Sequence, residues 1–381
     1  MSSDLTEYEK YLDMFEKIFT KMGIWPSTKI QPIRYVILFV FIFFCVLFLY
    51  KVIFYPERES IENGIVNTMG CIMAILFAIR MNLREEQFVK VFEFIRNDLS
   101  GTPSPIKKEV FIEIVDVIKG MIKFVTYIFP VAIIPKLFSP FLEYGFKMLV
   151  QSGNNVSLIL PPPMALPQMS FLYFDGFIIY VLECSVRMIM LCWLMGFAFI
   201  YAISSLYLGG QFRALGRELE ALSIENEEIF DACIKRHNEI LSITKKLNNI
   251  YRFHMLVEYI VSYVNWAVLL LSMFAGNGGA LGFFNDMLLT TAGGSQFVFI
   301  HYFGGRIAEM SLEVFHGAYC SDWTSKPIKQ QKKLYIMMMR ARKSSKLCLY
   351  EHFITASLEN MMNLFKDSYA SFNILKSTME K

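Results

Sequence analysis

Long apolar segments recur along this 381-residue chain, and they constrain its fold more than any other feature. A helix needs about 20 mostly apolar residues to cross the hydrocarbon core of a bilayer. The clearest segment, 35–50, contains no charged residue and is flanked by Arg34 and Lys51. Only 19% of all residues are charged, whereas soluble domains are about 25% charged. The chain is therefore predicted to be an all-α membrane protein.

Seven segments fit this description, and together they predict a single seven-helix domain. The domain comprises 1–381, and its predicted spans lie near 33–54, 61–80, 121–142, 171–207, 255–282, 294–318 and 347–375. The third span contains Pro130, Pro135 and Pro140, which are expected to kink it because proline cannot donate a backbone hydrogen bond. The seventh contains charged residues such as Glu359 and Asp367, so hydropathy alone would count six spans.

The distribution of basic residues predicts the orientation of these helices. Lys and Arg residues number 7 in 80–120, 2 in 136–170, 7 in 208–254, none in 283–293 and 8 in 319–346. Basic loops stay in the cytoplasm. We therefore expect a cytoplasmic N-terminus and, after seven crossings, an extracellular C-terminus. The alternation of rich and poor segments also favours the seventh span.

Two further features agree with this orientation. The N-glycosylation acceptor Asn155-Val156-Ser157 falls in a segment predicted to be extracellular. The 7 cysteines lie in predicted spans or on the predicted cytoplasmic side, so structural disulfides are not expected. No signal peptide is recognisable near the N-terminus, and the first span is expected to act as an uncleaved insertion signal.

Amphipathic segments outside the spans predict additional helices. Segment 5–22 places its apolar residues on one face, as expected for a helix at the inner membrane surface. Segments 83–120 and 213–254 also combine apolar and charged residues at helical spacing. The fourth to sixth helices are therefore expected to extend into the cytoplasm as a packed helical anchor. Gly293-Gly294, by contrast, is expected to be a flexible turn in an outer loop.

The sequence lacks the residue patterns of an enzyme. Its 5 histidines are scattered, and none stands at metal-ligand spacing from a cysteine or carboxylate. No phosphate-binding Gly-x-x-x-x-Gly-Lys motif occurs. We therefore expect no catalytic residues, no metal, no cofactor and no nucleic-acid partner.

Ionisable and aromatic residues inside the spans are the better candidates for function, because buried charges in a membrane are costly. Glu183 and Arg187 stand four residues apart on the fourth helix, so they share a face and can pair. This pair serves either to pack helices, or to form a polar wall of a ligand cavity or a gating contact. A second group of aromatic and methionine residues predicts an apolar pocket for a small molecule in the outer half of the bundle. Its members are Met69, Tyr127, Phe138, Tyr173, Phe177, Tyr180, Phe299 and Tyr302.

From about residue 300 onward the chain closely resembles the insect odorant receptor family. The motifs that carry the resemblance are Phe303-Gly304-Gly305, Ser311-Leu312, Ala318-Tyr319, Asp322-Trp323, Lys333-Leu334, the run 337–343, Phe353, Ser357-Leu358-Glu359 and the closing run 368–375. Their order and spacing match over roughly eighty residues, whereas no comparably specific motif precedes them.

The resemblance implies a role as an odorant receptor subunit in the plasma membrane of an olfactory neuron dendrite. Members bind small volatile odorants and pair with an obligate co-receptor in a heterotetrameric cation channel. Helices four to six, with the segment near 325–346, would form the cytoplasmic anchor where subunits touch. Membrane lipids are the other expected partners.

The last part of the seventh helix would line a central pore. The hydrophobic gate of the family falls on Ile374, and the expected pore residues are Tyr369, Phe372, Ile374 and Thr378. A pore-lining helix need not be apolar all round, which explains the charges in the seventh span. Lys376, Ser377 and Thr378 after the gate depart from the apolar tail of the co-receptor. The chain therefore resembles an odorant-tuning subunit rather than the co-receptor itself.

Other membrane proteins fit the sequence less well. A G-protein-coupled receptor would place its N-terminus outside and carry Asp-Arg-Tyr and Asn-Pro-x-x-Tyr motifs, which this chain lacks. A gustatory receptor would end in a Thr-Tyr … Gln-Phe pattern, where this chain has Ser368-Tyr369 and Lys376-Ser377. A transporter would need broken helices in repeated halves, and no such repeat is visible.

Overall fold

The described part of the chain folds almost entirely into α-helices, as its apolar and amphipathic periodicities predict. The computed structural model describes residues 4–25, 32–54, 58–101, 104–128, 173–221, 227–275, 279–350 and 354–379. Within these ranges the helices are α1 (Asp4–Lys21), α2 (Pro32–Phe54), α3 (Arg58–Leu83), α4 (Glu85–Leu99), α5 (Pro105–Lys123), α6 (Tyr173–Ala221), α7 (Glu227–Ala275), α8 (Gly279–Cys320), α9 (Ile328–Ala341) and α10 (Leu358–Met379).

Short irregular elements join some of these helices. A π-helical turn, Phe124–Ile128, continues α5, and a 3₁₀ turn, Trp323–Ser325, precedes α9. The strands β1 (Cys348–Tyr350) and β2 (Ile354–Thr355) form an antiparallel ribbon before α10.

Three described helices contain a stretch that is long and apolar enough to cross a bilayer. These stretches are Pro32–Phe54 in α2, Val181–Ala221 in α6 and Glu228–Leu271 in α7. A shorter apolar stretch, Asn67–Leu83, lies in α3. Most of the predicted third span lies outside the described residues.

The predicted seventh span differs from the structure at its start. The sequence predicts a helix from residue 347, whereas the chain first forms the β1–β2 ribbon and α10 begins only at Leu358. The hydroxyl of Ser357 accepts a hydrogen bond from the Asn360 backbone N–H at 3.3 Å, which caps the helix there. The Asn360 amide donates to the Thr355 carbonyl at 2.8 Å and ties the ribbon to the cap.

Two long helices, α6 and α8, lie so close that their backbones touch. A Cβ atom added to Gly317 would lie 1.9 Å from the carbonyl oxygen of Gly216, and one added to Gly216 would lie 2.4 Å from the carbonyl oxygen of Glu313. No side chain fits between the helices at this level. Glycine at both positions therefore permits the close approach of the two helices.

Polar side chains at one end of the bundle connect α4 and α5 to α6. The Asp98 carboxylate accepts hydrogen bonds from Lys107 Nζ at 2.5 Å and from Gln211 Nε2 at 2.6 Å, and also from the Tyr207 hydroxyl. Burial lowers the pKa of Lys107, and the hydrogen bond to Asp98 opposes this effect. The carboxylate therefore compensates a cation that is almost completely removed from solvent.

The same network continues to α7. Arg236 donates to the Gln211 side-chain oxygen at 2.6 Å and to Glu218 at 2.9 Å. Glu218 also accepts from the hydroxyl of Ser104, which caps the start of α5. Four helices thus meet in one set of hydrogen bonds, and we refer to these seven residues as the Asp98 network.

The segment after α1 is fastened to the first span by a buried arginine. The chain turns at Gly23, whose φ of +71° is unstrained only in glycine. Arg34 donates to the carbonyls of Gly23 at 2.9 Å and Trp25 at 3.1 Å. It also donates to the side chains of Asn82 at 2.6 Å and Glu85 at 3.2 Å. Arg34 therefore connects α2 to the segment after α1, to the end of α3 and to the start of α4, and it also flanks the apolar segment 35–50.

The substitution Gly317→Ala is expected to lower the midpoint of thermal unfolding of the detergent-solubilised protein by several degrees. The added methyl group overlaps the Gly216 carbonyl, and overpacking of this kind costs about 1–3 kcal/mol. Size-exclusion chromatography after heating measures the midpoint. Gly120→Ala is the matched control, since a Cβ there meets no atom within 4 Å. A midpoint for Gly317→Ala equal to that of wild type would contradict the close contact.

The substitution Asp98→Asn is expected to destabilise the protein by about 1–3 kcal/mol, because it leaves the Lys107 ammonium buried beside a neutral amide. The same thermal measurement applies. Glu86→Gln is its control, because the Glu86–Lys90 pair is exposed and its atoms are 3.9 Å apart. Equal midpoints for the Asp98 and Glu86 variants would show that the Asp98 network adds no stability.

Candidate functional site

The ionisable residues of the fourth predicted span form an ion pair on α6. Arg187 Nη2 lies 3.2 Å from Glu183 Oε2, one helical turn away, as the spacing of four residues predicts. Glu183 is only 2% exposed. Because an unpaired carboxylate is costly to bury, Arg187 stabilises Glu183 within the bundle. Both a packing role and a place in the wall of a ligand cavity are compatible with this geometry.

The predicted ligand residues Phe299 and Tyr302 belong to one aromatic group centred on α8. The ring of Phe303 lies 5.7 Å from that of Phe299 and 5.0 Å from that of Tyr302. Phe299 also packs against Phe124 at 5.5 Å and Phe199 at 5.9 Å. The group therefore joins α8 to α6 and to the π-helical turn after α5.

Three members of this aromatic group, Phe124, Phe199 and Phe303, are not among the predicted ligand residues. No pattern distinguishes Phe124 or Phe199 among 36 phenylalanines, because the partners of Phe299 depend on how α6 and α8 are rotated. Phe199 in turn packs against Phe15 of α1 at 5.6 Å. Through Phe199 the aromatic group therefore contacts α1 as well as α6 and α8.

The other predicted ligand residues are distributed over several elements. Met69 is half-buried on α3 and packs against the hydrophobic core. Tyr127 lies in the π-helical turn and is mostly exposed. Tyr173, Phe177 and Tyr180 lie in α6, but their side chains are not among the described ones. Phe138 and the glycosylation residue Asn155 lie outside the described residues, so the eight-residue pocket stays a prediction.

The helix α10 has one buried and one exposed face. Leu364, Ser368 and Phe372 recur every four residues and are buried. Tyr369 and Ile374 are exposed, and Ile374 is 66% exposed. Of the four predicted pore residues, Tyr369, Ile374 and Thr378 are thus exposed, whereas Phe372 packs into the bundle.

The hydroxyl groups that follow Ile374 bond to their own helix. Ser377 Oγ and Thr378 Oγ1 each donate to the Ile374 carbonyl at 2.9 Å. This local bonding leaves their methylene and methyl groups on the surface of the helix. The end of α10 is therefore less polar than its sequence indicates.

The buried face of α10 packs on α7 and α8. The Phe365 ring meets Trp266 edge-on at 4.8 Å and lies 6.2 Å from Phe297. One turn further on, Ser368 Oγ donates to the Tyr263 carbonyl at 3.2 Å. The last described helix is therefore attached to α7 by both apolar and polar contacts.

The described residues offer no metal site. Among them, no group of three or more His, Cys, Asp or Glu side chains is placed to hold an ion. His254 Nε2 and Glu258 Oε2 approach each other on α7 at 3.9 Å. The His254 ring is enclosed by Phe77 and Phe197, so this pair belongs to the packed interior.

Comparison with known proteins identifies relatives of the chain. The 7tm Odorant receptor family model matches residues 64–369. Odorant receptor 63a of Drosophila melanogaster is 22% identical over 249 residues, which span 62% of this chain and 59% of that protein. The match thus covers less than two thirds of the relative's length.

Two solved structures of the insect olfactory receptor OR5 from Machilis hrabei share the fold. The structure in complex with eugenol has a TM-score of 0.82 at 12% identity and covers 99% of this chain and 100% of that chain. A second structure of OR5 has a TM-score of 0.79 at 12% identity and covers 98% and 99%.

Family and fold agree with the helical architecture described above. The structural likeness extends over nearly the whole chain and shows the seven-helix transmembrane fold of an insect olfactory receptor. The family model covers well over half of the chain and independently indicates a receptor rather than an enzyme. This multi-pass plasma-membrane protein therefore belongs to the 7tm Odorant receptor family.

Proposed function

We propose that this chain is an odorant-tuning subunit that binds small volatile molecules and opens a non-selective cation channel as a heterotetramer with the odorant receptor co-receptor. Membership of the odorant receptor family supports the receptor role. OR5 of Machilis hrabei has been solved in complex with eugenol. By analogy, small volatile molecules are the ligand class proposed for this chain.

The proposed ligand site lies in the outer half of the bundle. It would contain Met69, Tyr127, Phe138, Tyr173, Phe177, Tyr180, Phe299 and Tyr302. A pocket with mostly apolar walls and a few hydroxyl groups suits a small molecule with one polar group. The Glu183–Arg187 pair would supply fixed charge near such a pocket.

The exposed face of α10 is the single observation that carries the channel proposal. Tyr369 and Ile374 are exposed although the segment is otherwise packed against α7. A helix of this kind suits a position where several subunits surround a shared pore. Apolar side chains from several subunits, Ile374 among them, would form a narrow constriction there. This constriction would gate the pore by excluding water.

The charge of Lys376, which follows the proposed gate residue Ile374, would affect ion permeation. Lys376 is exposed two residues after Ile374. A positive charge at the mouth of a cation pore disfavours the permeant ion. We therefore assign the tuning role to this chain and the dominant role in permeation to its co-receptor partners.

The proposed orientation follows from the charge distribution. The N-terminus and the Asp98 network would be cytoplasmic, and the end of α10 would be extracellular. Asn155 would then be accessible to glycosylation. This orientation lets a reagent added outside the cell reach the end of α10 first.

Expressed alone, this subunit is expected to give no odour-evoked current, whereas co-expression with the co-receptor is expected to give one. The reason is that the proposed pore needs partner subunits. Two-electrode recording with an odorant panel measures both conditions, and the co-receptor alone is the control. Robust odour-evoked currents from this subunit alone would refute the heteromer.

The substitution Ile374→Cys is expected to make the odour-evoked current sensitive to a membrane-impermeant thiol reagent applied from outside. Thiols react as thiolates, which form in water and not in lipid. Val46→Cys is the matched control, because Val46 is 59% exposed within the uncharged segment 35–50 of α2 and is proposed to face lipid. The wild-type receptor, treated with the same reagent, shows any effect of its native cysteines on the current. If the reagent left the Ile374→Cys current unchanged while reaching other outer positions, α10 would not line the pore.

A further inference from the structure

The side chain and backbone of Tyr263 on α7 together hold two serines of α10. Ser368 Oγ donates to the Tyr263 carbonyl at 3.2 Å. The Tyr263 hydroxyl shares a hydrogen bond with Ser371 Oγ at 2.5 Å. Ser368 and Ser371 are three residues apart and so lie on one face of α10. A single residue of α7 thus contacts two successive turns of the neighbouring helix.

These polar contacts are continuous with an apolar joint one turn earlier. The Phe365 ring lies between Trp266 of α7 and Phe297 of α8. Trp266 itself lies over Gly294 of α8, where an added Cβ would come within 2.4 Å of its ring. The apolar joint fixes where α10 rests, whereas the hydroxyl contacts fix its rotation and axial position, because hydrogen bonds are directional.

Tyr263 belongs to α7, a transmembrane helix that also supports α10. Two-point attachment means that a shift of α7 at Tyr263 is transmitted to both turns of α10. The next turns of α10 carry the exposed Ile374. A displacement at Ser371 therefore reaches the proposed gate within one helical turn.

We propose that Tyr263, through its hydrogen bonds to Ser368 and Ser371, is the positioning residue that couples movement of α7 to opening of the pore by α10. This inference rests on the proposed function. The Tyr263 hydroxyl touches neither the proposed ligand nor the ions. It acts on the equilibrium between closed and open positions of α10.

The expected magnitude follows from hydrogen bonds between membrane helices. Such bonds contribute on average about 0.6 kcal/mol and at most about 1.7 kcal/mol, which corresponds to about 3-fold to 20-fold in an equilibrium constant. Because Tyr263 and Ser371 share one bond, removing either hydroxyl removes the same interaction. The two substitutions should therefore be non-additive.

The test is a double-substitution cycle on the receptor co-expressed with the co-receptor. Tyr263→Phe and Ser371→Ala are each expected to shift the half-maximal odorant concentration by about 3-fold to 20-fold, and the double variant should shift it no further than the larger single effect. Ser371→Thr retains a hydroxyl and is expected to restore a value close to that of wild type. Surface labelling normalises each variant for expression.

Tyr35→Phe is the matched control, because it removes the same hydroxyl group from a different helix, α2, where Tyr35 is 53% exposed. Its removal is expected to leave the concentration dependence unchanged. Unchanged values for Tyr263→Phe and Ser371→Ala, or additive shifts in the double variant, would overturn the coupling role. Absence of current from both wild type and Tyr35→Phe would instead reject the proposed function, and the coupling role with it.

Discussion

The backbone contact between Gly216 and Gly317 is the constraint on which the arrangement of the other helices depends. It brings α6 and α8 together at a distance that no other residue pair would allow. Six residues earlier on α6, Gly210 leaves space that Ile114 of α5 fills, since an added Cβ would lie 2.2 Å from the terminal methyl group of Ile114. The small residues of α6 therefore determine how closely two different neighbours pack against it.

Charged residues beside these glycines fix the orientation of the same helices. Arg213 of α6 donates to Glu313 of α8 at 2.8 Å and to Glu113 of α5 at 2.6 Å. The Asp98 network adds α4 and α7 on the adjacent side. Close packing and paired charges thus act together at this end of the bundle.

Apolar length predicted the first span closely, and apolar periodicity predicted the N-terminal helix. The segment 33–54 corresponds to α2 (Pro32–Phe54), and the amphipathic segment 5–22 corresponds to α1 (Asp4–Lys21). Both depend on side-chain patterns within a single helix. Such patterns are visible in a sequence because they need no information about neighbouring helices.

The structural role of the glycines was not predictable from the sequence, because it depends on which residues of neighbouring helices pack against them. Gly293-Gly294 was expected to be a turn but lies inside α8, where Gly294 accommodates Trp266. The roles of Gly216 and Gly317 in joining α6 and α8 were not predicted for the same reason. Local propensity marks glycine as a helix breaker, whereas tight packing between helices can require it.

The candidate site was predictable in part. The spacing of Glu183 and Arg187 predicted their pairing, because both lie on one helix. The partners of Phe299 and the attachment of Ser371 to Tyr263 depend on the rotation of separate helices, which no single segment specifies. The start of α10 was misplaced because a serine cap outweighed the continuing apolar pattern.

The central claim is that α10 of this chain lines a pore shared with co-receptor subunits. Single-particle imaging of the complex purified with the co-receptor tests it most directly. The account predicts four subunits around one axis, with α10 facing that axis and Ile374 at its narrowest part. A complex in which α10 faces lipid, or in which this chain forms no shared axis with the co-receptor, would contradict it.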